Sequence, residues 1–270
     1  MEKNNYKYYT CKYDAAFKEV FMNTKDTYLL KVLLEFILNV KISSIDIQNN
    51  ELINDNVHVR RKLLDFLVYT DQGVFNIEVN TSVDKFLRNR NFSFIANAFS
   101  KDVLKGDNYN PDIKYVQINL SYGLNYNEAY RKFLVMDDNK NKYIDNFIIY
   151  EFNMDYYLNF WYNKDEKEIE KNKYLIMLNL DKDDLKALSK GDKVVSSYMD
   201  RLNKVNEDPR FQSYMSAEED DRKIKNSIKR EYYDKGVVEG VRASANKLIE
   251  SGMSIEEACK ILDISEDDLR

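Results

Sequence analysis

Apolar and polar residues alternate through Leu64, Phe66 and Val68, break at Thr70-Asp71-Gln72-Gly73, and resume through Phe75, Ile77 and Val79. The pattern predicts a β-hairpin whose apolar face packs on a core and whose other face holds Asp65, Glu78 and Asn80. A turn centred between Asp71 and Gln72 sets Val68 opposite Phe75 and Asp65 opposite Glu78. A two-residue slip would set Asp65 against Asn80 instead and still leave all three on one side. Like charges at cross-strand distance destabilise a plain hairpin by ~0.2–1 kcal/mol, so a compensating charge is expected, and a divalent cation is the simplest one.

Helical periodicity predicts a first helix over 13–21, with Asp14 as its cap and Phe17, Val20 and Phe21 on one face. A second helix is expected over 27–38, apolar at Leu30, Leu33, Leu34 and Ile37, and a first strand within 42–52. After the hairpin, Phe92, Ile95, Phe99 and Val103 recur at helical spacing, with Gly106 ending that helix. Strands follow over 113–120, 130–135 and 147–152. From Met154 the chain turns helical and charge-rich, with a break at Pro209 and a further boundary flanked by Gly236 and Gly240. Two capping boxes, starting at Ser254 and Ser265, announce short helices near the end. Trp161 and the Tyr156-Tyr157 pair read as core or interface.

Composition narrows the chemistry. With 270 residues and 44% hydrophobic content the chain can bury a sizeable core. Its richest apolar run, Tyr28 to Leu38, is short and carries Lys31 and Glu35, and the segment from Met1 to Tyr6 has no apolar stretch. A soluble, cytoplasmic protein without membrane partners is therefore expected. Cys11 and Cys259 lack ligand spacing, which disfavours a disulfide framework or a zinc site. His58 is the only histidine, and none of the seven glycines forms a phosphate-cradling loop. Elimination leaves a carboxylate-held metal as the leading chemistry.

The net charge of −5 hides an asymmetry. Residues 1–150 carry 20 basic and 19 acidic side chains, against 21 and 27 in residues 151–270. Basic residues outnumber acids around the hairpin, with Arg60, Arg61 and Lys62 before it and Lys85, Arg88 and Arg90 after it. Local charge of this kind suits a phosphate backbone better than the total implies.

Asp65, the hairpin, and then Glu78-Val79-Asn80 resemble the PD-(D/E)XK nuclease motif. Asp14-Ala15-Ala16-Phe17-Lys18, with Phe21 beyond it, is similar to the opening of the Rpn family of recombination-promoting nucleases, also described as PD-(D/E)XK transposases. Asp14, Phe17 and Lys18 carry that match. Arg90 with Phe94 and Phe99, the segment from Lys105 to Tyr109, and the tail from Gly252 to Ala258 resemble later blocks of the same family. The resemblance implies an α/β, restriction-endonuclease-like core, a central mixed sheet flanked by helices, over 8–153. A helical extension packed on the core would follow over 154–235, and a tail of short helices over 236–270.

It further implies a divalent-metal-dependent DNA endonuclease acting in recombination, mobile-element biology or defence. Asp65, Glu78 and the Val79 carbonyl would hold Mg²⁺ or Mn²⁺, with Asn80 orienting the attacking water. Glu19, or less readily Asp14, would complete a second metal position. Asn80 departs from the family's Gln and from the Lys of the wider superfamily, and being shorter it puts activity in question. Lys85, Arg88 or Arg90 is expected to supply a migrated cation or to bind DNA. Two classes stay open: an active nuclease, or a nuclease-fold module that binds DNA or protein without catalysis. The acidic last helix argues against a DNA-reading tail. Packing or homo-oligomerisation is the expected use of that segment.

Overall fold

The computed structural model describes residues 7–49, 66–104 and 111–265. Helices α1 (Asp14–Phe21) and α2 (Tyr28–Leu38) come first, followed by strands β1 (Ile45–Asn49), β2 (Phe66–Thr70) and β3 (Gly73–Asn80). Helix α3 (Leu87–Leu104) leads into β4 (Tyr115–Ser121), β5 (Tyr130–Leu134) and β6 (Phe147–Asn153). The strands form one mixed sheet in the order β1-β2-β3-β4-β6-β5. β3, β4 and β6 run parallel to their neighbours in the centre, and the β1–β2, β2–β3 and β5–β6 pairs are antiparallel.

The β2–β3 turn falls where the alternation places it, pairing Leu67 with Asn76, Val68 with Phe75 and Thr70 with Gly73. Gly73 has φ 139°, and a Cβ there would collide with the carbonyl oxygen of Lys114 on the approach to β4. Asp71, at the turn, accepts from the Ser43 amide and hydroxyl at 2.8 Å each. With Gln72 and the Ser44 amide also donating, its carboxyl is held well below the usual range. The hairpin turn is thereby fastened to the loop that enters β1.

One sheet face is apolar. Val68, Phe75, Ile77, Val79, Val116, Ile118, Leu120 and Phe152 meet Phe17, Val20 and Phe21 of α1 and Leu30, Leu33 and Leu34 of α2 in the main core. The same core takes in α4 (Met154–Tyr162), α5 (Glu166–Ile176), α6 (Lys182–Leu188) and α7 (Lys193–Glu207), with Trp161 partly buried against it. Asn206 near the end of α7 ties this layer to the start of the chain. Its amide donates to the Tyr9 carbonyl at 2.9 Å and accepts from the Tyr9 amide at 2.7 Å.

Asp14 is not the cap of α1. Tyr13 occupies that position without a side-chain bond, and Asp14 is the first helical residue, paired with Lys18 one turn on at 2.9 Å. The i,i+4 attraction to a lysine that is only 6% exposed outcompetes capping. Phe92 is 48% exposed, because the inward positions of α3 go to Leu87, Asn91, Ile95 and Ala98.

Cα distances divide the chain into a unit ending at Phe211 and a second beginning at Gln212. Pro209 opens α8 (Pro209–Glu250), where a proline is tolerated at the first helical position. α8 continues through Gly236 and Gly240, so these glycines end no helix, although each costs about 1 kcal/mol of helix propensity relative to alanine. In the second unit Ser254 caps α9 (Ile255–Leu262) in a reciprocal box with Glu257. The other predicted box extends into residues 266–270, outside the described residues.

Both cysteines are buried and free of disulfides. Burial pushes the Cys11 thiol up to about 12 from 9.0, against a smaller opposing hydrogen bond from Tyr198. Burial also lifts the phenols of Tyr122 and Tyr198 well above their ordinary value. A group with a raised folded pKa stabilises fully below its unfolded pKa and loses that contribution as pH climbs toward the folded one. Stability is therefore expected to fall as pH rises from about 9 toward about 12. Urea unfolding across that window checks this, and a Cys11→Ala variant is expected to show the shallower slope.

Candidate active site

The second sheet face is divided along the strands. Where β3, β4 and β6 begin, Val74, Tyr115 and Phe147 join Leu67 and the α3 residues Ile95 and Ala98 in a small apolar cluster. Toward their carboxyl ends the same strands carry Asn76, Glu78 and Asn80, then Gln117, Asn119 and Ser121, then Glu151 and Asn153. All eight are buried. The register aligns them in rows across the sheet, Glu78 beside Asn119 beside Glu151, and Asn80 beside Ser121 beside Asn153. Ligand sites of sheets with parallel strands lie at such carboxyl ends.

A buried polar group must be satisfied, and these largely satisfy one another. Asn76 donates to Gln117 at 3.0 Å and lies 3.4 Å from Glu78 Oε1. Gln117 and Asn91 of α3 both donate to Asn119 Oδ1, at 2.8 and 3.0 Å. Glu151, 2% exposed, takes Arg88 of α3 through two nitrogens, at 2.8 and 3.3 Å, and accepts from the Tyr126 hydroxyl at 3.2 Å. That hydrogen bonding holds the Arg88 guanidinium above its ordinary pKa, while burial and the Glu151 charge raise the Tyr126 phenol.

Asn80 is engaged at both ends. Its Nδ2 donates to Ser121 Oγ at 3.1 Å, and its Oδ1 accepts from Arg90 Nη2 at 3.3 Å. The Val74 amide donates to Lys114 and the Asn80 carbonyl accepts from Tyr122, so even-numbered β3 residues turn their peptides toward β4. Alternation then turns the Val79 carbonyl toward the β2 edge. Lys85 is exposed, its Nζ 4.8 Å from the Phe86 ring centroid.

Of the residues singled out by sequence, Glu78, Asn80, Val79, Arg88 and Arg90 meet at this end of the sheet. Asp14, Phe17, Lys18 and the exposed Glu19 belong to α1, which packs on the apolar face. Asp65, His58, Leu64, Gly106 and the cluster Arg60-Arg61-Lys62 lie outside the described residues. Glu151, Tyr126 and the amides of β4 were not among the sequence candidates. Gln117 and Asn119 alternate within one predicted strand and Glu151 is the acid of another, whereas Tyr126 lies in the loop before β5.

The donors here are hard oxygens: the Glu78 carboxylate and the Val79 carbonyl, the Asn80 amide oxygen being taken by Arg90. This is the set a Mg²⁺ or Mn²⁺ ion accepts. Among the described residues no three His, Cys, Asp or Glu side chains converge, so a full set needs a further acid. Among the described residues no helix is long and apolar enough to cross a membrane.

A mixed sheet with helices on both faces and an acidic, amide-lined end defines a nuclease-type α/β fold. The profile of the PD-(D/E)XK nuclease family transposases matches residues 11–232, and the chain belongs to that family. Comparison with curated proteins and with solved structures returned no match.

Proposed function

We propose that the protein is a divalent-metal-dependent DNA endonuclease, linked to recombination, mobile elements or defence. The observation that carries this reading is Glu78, 8% exposed among amides at the carboxyl end of β3, the strand that pairs with β2 in an antiparallel hairpin. Asp65, on the segment entering β2, is proposed as its acidic partner, with the Val79 carbonyl as a third oxygen. Bound there, Mg²⁺ would activate water and neutralise charge developing on the phosphate. The side chains on this face would orient the phosphodiester, and Arg88 would line its approach.

The shortened Asn80, tied to Ser121 and Arg90, favours one second reading: a nuclease fold that binds DNA without cutting it. Nicking of supercoiled plasmid separates the two. The endonuclease nicks with Mg²⁺ or Mn²⁺ and stops with EDTA; a chain that retains plasmid but leaves it uncut under every metal is the binding module.

A further inference from the structure

Three cations follow the hairpin, and the structure distinguishes them. Arg88 is neutralised by the buried Glu151 in a two-nitrogen contact. Lys85 is exposed beside the Phe86 ring. Arg90 reaches the motif itself, and no carboxylate among the described residues pairs with it in a salt bridge. We infer that Arg90 is the catalytic cation of the cleavage site, contacting the scissile phosphate, and that Asn80 is the residue that positions it.

The inference rests on the endonuclease reading and adds the source of positive charge to it. Asn80 is 3% exposed and cannot swing freely, because Ser121, fully buried on the adjacent strand, fixes its amide nitrogen. The amide oxygen is thereby presented to α3, where Arg90 spends one N–H on it. A guanidinium has five donors in a plane, so others stay available for phosphate oxygens. A lysine at position 80 would bring a charge from the strand. Here the strand supplies an uncharged anchor, and the neighbouring helix supplies the charge.

Arg90 stays protonated in any ordinary buffer, so it cannot serve as a general base. Its work is electrostatic. In the hydrolysis the water oxygen bonds to phosphorus and gives up a proton to solvent, the ester P–O bond breaks with its electron pair on the leaving oxygen, and that oxygen takes a proton back from solvent. Negative charge grows on the phosphoryl oxygens on the way, and a donor already in place stabilises it without reorganisation.

Two measurements on the full chain test this. With Mg²⁺, Arg90→Ala is expected to lower kcat for plasmid cleavage by ~10²–10³-fold. Added guanidinium ion, or the further change Asn80→Lys, is expected to restore part of it. In EDTA, where no cleavage occurs, Arg90→Ala is expected to flatten the salt dependence of DNA affinity by about 0.9 in log–log slope, the share of one phosphate contact. Asn80→Ala is expected to lower kcat while leaving that slope and KM unchanged, as befits a positioning residue.

An enzyme that depends on Asp65 and Glu78 but cuts normally as Arg90→Ala, with an unaltered salt slope, overturns this inference and leaves the endonuclease reading standing. A wild-type chain that never cuts overturns both.

Discussion

Glu78→Gln is expected to yield a folded protein that no longer cleaves DNA. The substitution keeps the shape of the side chain and its place beside Asn76 and Asn119 while removing the charge that would face the metal. Loss of a carboxylate ligand is expected to lower cleavage by ~10³-fold or more, which corresponds to about 4 kcal/mol of transition-state stabilisation. Asp65→Asn is expected to do the same. The fold should tolerate the change at Glu78, because an amide there can hydrogen-bond with the neighbouring Asn76 amide. Initial nicking rates, together with circular dichroism of the same samples, check both halves. Cleavage retained within tenfold of wild type would remove Glu78 from the mechanism.

The second large effect lies on the reverse of the same strand. Phe75 is 1% exposed in the main core. Phe75→Ala is expected to cost ~3–5 kcal/mol, from lost transfer free energy and the cavity left behind. Against a total of about 5–15 kcal/mol for a typical domain, this is a large fraction. Urea unfolding measures it, and a loss under about 1 kcal/mol would mean that β3 does not pack as described. β3 thus separates its duties by period two. Even positions carry chemistry toward α3, and odd positions carry stability toward α1 and α2.

That alternation explains what was legible in advance. The hairpin register follows from Gly73 and the apolar set Val68, Phe75, Ile77 and Val79, since any odd slip would turn those side chains away from the core. The helix and strand order follows from periodicity strong enough to override local ambiguity. The first helix was visible through Phe17, Val20 and Phe21, but the role of Asp14 was not. Capping and i,i+4 pairing use the same residue type, and only the burial of Lys18 decides between them.

The amide-lined end of the sheet was harder to see. Gln117, Asn119 and Ser121 have no chemistry of their own, and their importance comes from register with Glu78, a contact 41 residues away in sequence for the Asn80–Ser121 pair. Glu151 lies beyond that again, and its pairing with Arg88 spans 63 residues. The choice among Lys85, Arg88 and Arg90 likewise depends on the partner each one meets: the Phe86 ring, the Glu151 carboxylate and the Asn80 amide. Gly236 and Gly240 suggested a boundary, yet two isolated glycines in a long helix cost less than ending it.

Asp65 and Glu78 are expected to hold one divalent cation between them. Crystals of the protein soaked in Mn²⁺ and measured at the manganese absorption edge test it most directly. The expected result is an anomalous peak within about 2.0–2.3 Å of a carboxylate oxygen from each residue and of the Val79 carbonyl. A fully soaked crystal with no peak there, or with its manganese bound elsewhere while the protein still nicks plasmid, would contradict it.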